Sequence, residues 1–409
     1  MSENQNQNDQ NPKSQKEINS FIIATIRISN GYFLERIINS YENAKKEEPR
    51  DKEWSILKYI ENEKDIKDCE IYINDEKINF VYYYEFKENG DYTIKYVFIK
   101  KLKSTAFMFY NCDAFISLDL SNFDTQNIID LSYMFSNCTN LISLNLSKFI
   151  TPNAENLSYI FSDCNSLKEL DISKLNTQKV TDMMCMFSGC KILTNLDLSN
   201  IVTEKVENMA YMFSDCYLLT YLDLSKFNTK NVIIMECMFN NCKALKYINL
   251  SGFNTQNAKN MEYMFNNCES LESLDLSNFN TTNVDKMDCM FSNCKSLNFL
   301  NLKDWNTQNA TDMHSMFNNC KLLTSINISD FNIKKVEDME SMFNNCYSLI
   351  SLKFTNFNSQ NVELENIFNN CYSLISIDFS NFKIPNENDM NKMFKRCNSL
   401  PNKYIKNNI

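Results

Sequence analysis

The sequence predicts an α/β solenoid of about 12 coils, with a parallel β-sheet on one face and short helices or 3-10 turns on the other, plus a small N-terminal α/β module. First, the motif M-x-x-M-F-x-x-C-x-x-L-x-x-L-D/N-L-S-x-F-x-T-x-x-V recurs with a period of 26 residues through the last three quarters of the chain. Its cysteines keep the beat: Cys112, Cys138, Cys164, Cys190, Cys216, Cys242, Cys268, Cys294, Cys320, Cys346, Cys371 and Cys397. Only the step from Cys346 to Cys371 is one residue short, because Val362-Glu363-Leu364 replaces Val336-Glu337-Asp338-Met339. Second, L-x-x-L-x-L alternates as a half-buried strand does, whereas M-x-x-M-F-x-x-C has spacings of three and four. Third, one such unit cannot bury its apolar face alone, so the copies must stack.

Residues 1–17 are Asn, Gln, Lys and Glu with almost nothing apolar, and read as a disordered polar tail. Residues 18–103 differ from the repeats and read as an α/β module that caps the solenoid, since an end coil exposes its apolar stack. In it, residues 21–28 (FIIATIRI) are strand-like, and Ser40 is a candidate N-cap for a helix through Asn43-Ala44-Lys45-Lys46. Asp51-Lys52-Glu53-Trp54 reads as a second helix start. Strand-like runs follow at 70–73, 80–86 and 92–99, the last two joined as a hairpin through 87–91. Residues 104–409 form the solenoid. Strands such as Leu141-x-x-Leu144-x-Leu146 stack in parallel at about 4.8 Å per coil, giving a rod or arc roughly 55 Å long. The F-N-T-Q-N-V stretch reads as a polar turn.

The motifs MFSNC and LISLNLSKF, and residues 264–284 (MFNNCESLESLDLSNFNTTNV), resemble the leucine-rich repeat, and more closely the BspA-like repeat family of bacteria and protists. The resemblance implies a leucine-rich-repeat solenoid engaged in protein binding, with bacterial relatives displayed at the cell surface as adhesins. The chain departs from the pattern in two ways. Its start lacks the basic and apolar regions of a secretory signal. Phe149, Leu175, Ile201, Phe227 and Trp305 stand where many leucine-rich repeats place Asn or Cys after the strand. An apolar spine thus takes the place of the usual asparagine ladder.

Composition excludes several functions. A net charge of −10 and a pI near 4.9 disfavour nucleic acid and anionic membrane as partners. No stretch is long enough to span a bilayer, so no membrane insertion is expected, and the chain reads as cytoplasmic. Surface display by a non-classical route is the alternative. His314 is the one histidine, which all but removes histidine triads. The glycines, Gly31, Gly90, Gly189 and Gly252, cannot make a phosphate loop or dinucleotide fingerprint. No enzyme activity and no cofactor are expected. The ladder cysteines read as buried thiols, although stacked coils bring them within disulfide reach. Cys185, Cys237 and Cys289 make C-x4-C with Cys190, Cys242 and Cys294, but zinc requires four ligands and no histidine is at hand, so no metal is expected.

The functional reading is a non-catalytic scaffold that binds a protein partner through the strand face. The Asp or Asn of L-D-L faces outward and runs as a ladder including Asp171, Asp197, Asp223 and Asp275. It reads either as an acidic stripe for a partner with a basic patch or as short polar side chains that keep a sheet soluble. Two residues earlier the ladder is mostly serine, broken by Tyr221, Tyr247 and Phe299. Exposed aromatics beside polar residues are typical interface anchors, set against drift at a tolerant position. The partner-binding candidates are therefore Tyr221, Tyr247, Phe299, Asp171, Asp197, Asp223 and Asp275. The competing surface is the opposite side, where Tyr211, Tyr263 and His314 vary. Phe239 is expected in the core, and Asn241 on an outer turn of little energetic consequence.

Overall fold

A computed structural model describes residues 20–29, 31, 33–48, 59–353, 362–378 and 387–401, apart from the side chains of 387–389. The tail expected over 1–17 and the helix start expected at 51–54 lie outside the described residues.

The N-terminal part contains β1 (Ser20–Ile28), β2 (Leu34–Arg36), α1 (Tyr41–Glu47), α2 (Glu63–Lys67), β3 (Glu70–Ile73), β4 (Glu76–Ile78), β5 (Tyr83–Glu85) and β6 (Gly90–Phe98). Ser40 caps α1 by accepting the Asn43 N–H, as its position predicts. The expected hairpin does not form. β5 pairs with β2, whereas β6 lies between β1 and β3, so the 87–91 connection links two different sheets. Alternation in β6, which buries Ile94, Tyr96 and Phe98, suits a strand flanked on both edges.

This sheet runs straight into the solenoid. β1 pairs antiparallel with β7 (Phe115–Asp119), the strand of the first coil, and β7 pairs in parallel with β8 (Ser143–Asn145). The first coil's edge is therefore hydrogen-bonded rather than bare. On its other side, Tyr41, Ala44 and Tyr59 pack against Ala106, Phe107 and Tyr110. Buried Asn62 ties the two parts together, accepting the Tyr41 N–H and donating to the Ala106 carbonyl.

The later strands are short: β9 (Tyr221–Asp223), β10 (Tyr247–Asn249), β11 (Ser273–Asp275), β12 (Phe299–Asn301), β13 (Ser351–Lys353) and β14 (Ser376–Asp378), before α3 (Glu387–Met393). They pair in parallel two by two, β9 with β10, β11 with β12 and β13 with β14. The coils that hold Asp171 and Asp197 carry no regular strand.

Of the helix and the 3-10 turn expected opposite the strands, the structure takes the turn. In the second coil Met134, Ser136 and Cys138 donate to the carbonyls three residues back, of Leu131, Tyr133 and Phe135. The alternate amides, of Leu131, Tyr133, Phe135 and Asn137, donate instead to Asn156, Ser158, Ile160 and Ser162 of the next coil. An α-helix would spend every amide internally. Here half of them bond coil to coil, and parallel bridges continue from Ser104 through Asp130 and Asn156 to Glu363. The unbroken backbone ladder thus runs along the turn side, not the strand face.

Helix is prevented by a pair of left-handed residues four apart in the turn of each coil but the last, as at Tyr133 (φ 56°) and Asn137 (φ 58°). The residue before each ladder cysteine is Asn, Asp or Gly in all coils but the last, where Arg396 stands, the types that tolerate this conformation. These residues form an asparagine ladder of their own. Asn137 donates to Asn111, Asn267 to Asn241, and Asn319 to Asn293, at 2.6–2.7 Å. Asn241 is therefore not the inconsequential outer residue expected from the sequence, since it has φ 60° and bonds to both neighbouring coils. The asparagine ladder missing after the strand is present on the turn side.

The core is built in columns. The phenylalanines of M-F stack coil on coil from Phe109 to Phe394, with centroids 5.1–6.2 Å apart. Phe149, Leu175, Ile201, Phe227 and Trp305 form the expected buried spine. Each ladder cysteine from Cys138 onward donates its S–H to a phenylalanine carbonyl of the preceding coil, for example Cys242 to Phe213. The Thr of F-N-T is not a free turn residue. Thr229 is fully buried, donates to the Asn254 carbonyl and accepts the Asn254 N–H, and the same exchange recurs at Thr203 and Thr307.

Asp182, in the bridge column, yields a pH-dependent expectation. Burial pushes its carboxyl up to about 6, with Asp130 adding to the shift, while the Met184 N–H bonded to it opposes it. A folded pKa above the unfolded one means the folded state holds more protons between pH ~4 and ~6, so stability falls as pH rises through that window. Asn156 and Asn208 occupy the same slot and accept the equivalent N–H. Asp182→Asn is therefore expected to stabilise the fold by about 1–2 kcal/mol at pH 7. The gain narrows as pH is lowered towards 4.5, measured by urea unfolding of parent and variant across that range.

Candidate interaction surface

The strand face places the predicted residues in two parallel columns. Tyr221 and Tyr247 are paired in register on β9 and β10, and Phe299 pairs with Ser273 across β12 and β11. Consecutive coils thus present Tyr221, Tyr247, Ser273 and Phe299. The three aromatics are 53%, 51% and 54% exposed, although large apolar side chains elsewhere in the repeats are mostly buried. Neither Tyr221, Tyr247 nor Phe299 packs on another ring among the described residues. The Tyr247 hydroxyl donates to Glu272 Oε2 at 3.2 Å. Glu272 carries no repeat signature, so nothing in the repeat pattern points to it.

Two residues on lies the second column, with Asp223 ending β9 and Asp275 ending β11. Asp171 and Asp197 occupy the same repeat position in coils without regular strand. Each of the four accepts the N–H of the residue two places on, Ser173, Ser199, Ser225 or Ser277, at 2.9–3.0 Å. These N–H groups, joined by the same serines' hydroxyls and led at Asp223 by the Ser225 hydroxyl, hold the carboxyls below the usual range, so the four remain ionised at neutral pH. The ladder therefore has a local task, closing an Asx turn at the strand end, which Asn145 and Asn249 perform equally well. That explains why Asp or Asn recurs there. It leaves the outward negative charge available.

The opposite side is more committed to itself. Tyr159, Tyr211 and Tyr263 alternate with Cys185, Cys237 and Cys289 in the left-handed column. Tyr211 donates to Glu236 at 2.6 Å. Burial pushes Cys185 and Cys237 up to about 12 and Cys289 to about 11, so these thiols stay protonated. Thiolate, not thiol, is the nucleophile and the zinc ligand. Among the described residues no group of three or more His, Cys, Asp or Glu could hold a metal ion. His314 sits with Nδ1 3.8 Å from Asp338 and Nε2 3.2 Å from the Ser315 hydroxyl. A groove of about 490 Å3 near the first coils is lined in part by Lys101, Lys103 and Lys179, a local positive patch on an acidic chain.

Profiles of the family described as "Mycoplasma protein of unknown function, DUF285" match residues 103–221, 217–325 and 315–408, which together span the solenoid. The chain belongs to the DUF285 family. No curated protein matches it. Among solved structures, a TLR13–ssRNA13 complex is similar at 18% identity and a TM-score of 0.21, over 67% of this chain. The match covers 45% of that chain. A likeness so distant carries nothing about partner or ligand. The three matched stretches all fall in the repeat region. No helix among the described residues is long and apolar enough to cross a membrane.

Proposed function

We propose that this DUF285 chain is a non-catalytic scaffold that binds a protein partner through the strand face of its solenoid. The observation that carries this reading is the column of exposed, unstacked aromatics on coils whose backbones are cross-bonded. A preformed surface loses little conformational freedom on binding, and aromatics contribute large area at low entropy cost. Tyr221, Tyr247 and Phe299 serve as anchors, and Asp171, Asp197, Asp223 and Asp275 favour a partner bearing a basic patch. Residues 18–103 act as the cap, supported by the β1–β7 pairing, and 104–409 as the binding body. We place the protein in the cytoplasm, as a BspA-like repeat turned to an internal partner. Support comes from the ladder thiols, whose S–H bonds to carbonyls require reduced cysteine.

Tyr221→Ser combined with Tyr247→Ser is expected to weaken capture of native partners more than tenfold, with the unfolding midpoint unchanged. Serine already occupies this column at Ser117, Ser143 and Ser273. Titrated capture from native lysate measures the change, and unchanged affinity in the folded variant would falsify the reading.

A further inference from the structure

We infer that the strand face contains a slot for a planar cation: an arginine side chain of the protein partner lies over Ser273, between the rings of Tyr247 and Phe299, against the carboxylates of Glu272 and Asp275. The inference rests on the strand-face reading and names the chemistry of its centre. The column runs Ser117, Ser143, Glu169, Asn195, Tyr221, Tyr247, Ser273, Phe299, Ser325, Ser351 and Ser376. At one place in it, two aromatics flank a small residue. Two coil spacings separate the backbones of Tyr247 and Phe299, at least about 9.6 Å, because β10 and β11 are not paired with each other. A planar group held face to face by two rings needs about 7 Å between them, two carbon contacts of ~3.5 Å. The two exposed rings close that difference by leaning over Ser273 as the guanidinium enters. Tyr247 is drawn towards Ser273's coil by its bond to Glu272, the residue next to Ser273.

The charges fit the same occupant. Asp275 follows Ser273 by two residues on the same face, with its Oδ1 fixed by the Ser277 N–H and the Asn301 amide, both at 3.0 Å. Glu272 contributes a second carboxylate at the rim. Lys246, exposed one coil earlier beside Tyr247, makes no ion pair with Glu272 among the described residues. Guanidinium is planar, stacks on aromatic faces and forks onto carboxylates, whereas an ammonium is a compact, strongly hydrated point charge. The slot therefore prefers arginine to lysine.

The test uses the full chain and two fluorescein-labelled peptides, (Arg-Gly)3 and (Lys-Gly)3, followed by fluorescence anisotropy. The arginine peptide is expected to bind at least about fivefold tighter than the lysine peptide. Phe299→Ser removes one wall, and Ser273→Tyr fills the slot while adding aromatic surface. Both leave net charge unchanged and introduce residue types already present in the column. Each is expected to weaken the arginine peptide at least about fivefold and to abolish its advantage over lysine. A merely adhesive aromatic surface would bind as well or better in Ser273→Tyr. That outcome, equal binding of the two peptides, or no binding of the arginine peptide to the parent overturns the slot. If Ser273→Tyr leaves native partner capture intact while the Tyr221 and Tyr247 double substitution weakens it, the slot falls and the strand-face reading stands. If neither change affects capture, both fall.

Discussion

Phe239→Ala is expected to cost about 3–5 kcal/mol in denaturant unfolding, the usual range for deleting a buried aromatic ring. The ring is fully buried and stacks on Phe213 at 5.7 Å and Phe265 at 5.3 Å. Its removal opens a hole between two coils, and the flanking rings cannot close it because their backbones are fixed by the Phe213–Met238 and Phe239–Met264 bonds. In a one-dimensional stack the damage falls on a single interface, so the variant's transition is expected to split into two steps. Asn241→Ala supplies the scale. It loses the left-handed tolerance of asparagine and the bonds to Asp215 and Asn267, and is expected to cost about 1–3 kcal/mol. A cost near zero there would contradict the turn-side ladder.

Thr229→Val is expected to cost about 2–4 kcal/mol although the two side chains have nearly the same shape. Thr229 Oγ1 satisfies both backbone groups of Asn254, donating to the carbonyl at 2.9 Å and accepting the N–H at 2.8 Å. Valine fills the space and leaves both groups without that partner. Thr229→Ser keeps the hydroxyl and should recover most of the loss in the same urea titration.

Much of this architecture was legible because the period is a packing rule. Alternating leucines bury one face of an extended segment, whether or not it pairs as a regular strand, and the M-F and spine positions can only point inward if the coils stack. What the repeat concealed was the use of its polar letters. Spacings of three and four suggested helix, but turns that close after three residues and reset through a left-handed residue make the same spacing. The Asn, Asp or Gly before each cysteine was the available signal. Thr229 looked like an exposed turn residue because one chain read in isolation shows no partner, and its partner lies 25 residues away. The hairpin over 87–91 failed for the opposite reason, since long-range pairing of β6 with β1 and β3 overrode the local Asn-Gly-Asp signal. At the surface, the break in the serine column by Tyr221, Tyr247 and Phe299 was readable. The local bond made by each Asp was not, because its donor is a backbone N–H.

We propose that the strand face, not the turn side, engages the partner. The direct measurement is native partner capture by two matched variants. One carries Tyr221→Ser with Tyr247→Ser; the other carries Tyr211→Ser with Tyr263→Ser, positions where Ser315 and Ser341 show serine to be accepted. Loss of more than tenfold in the first variant, with the second unchanged, is the result predicted here. Partners retained by the first and lost by the second would place the interface on the turn side and contradict the account.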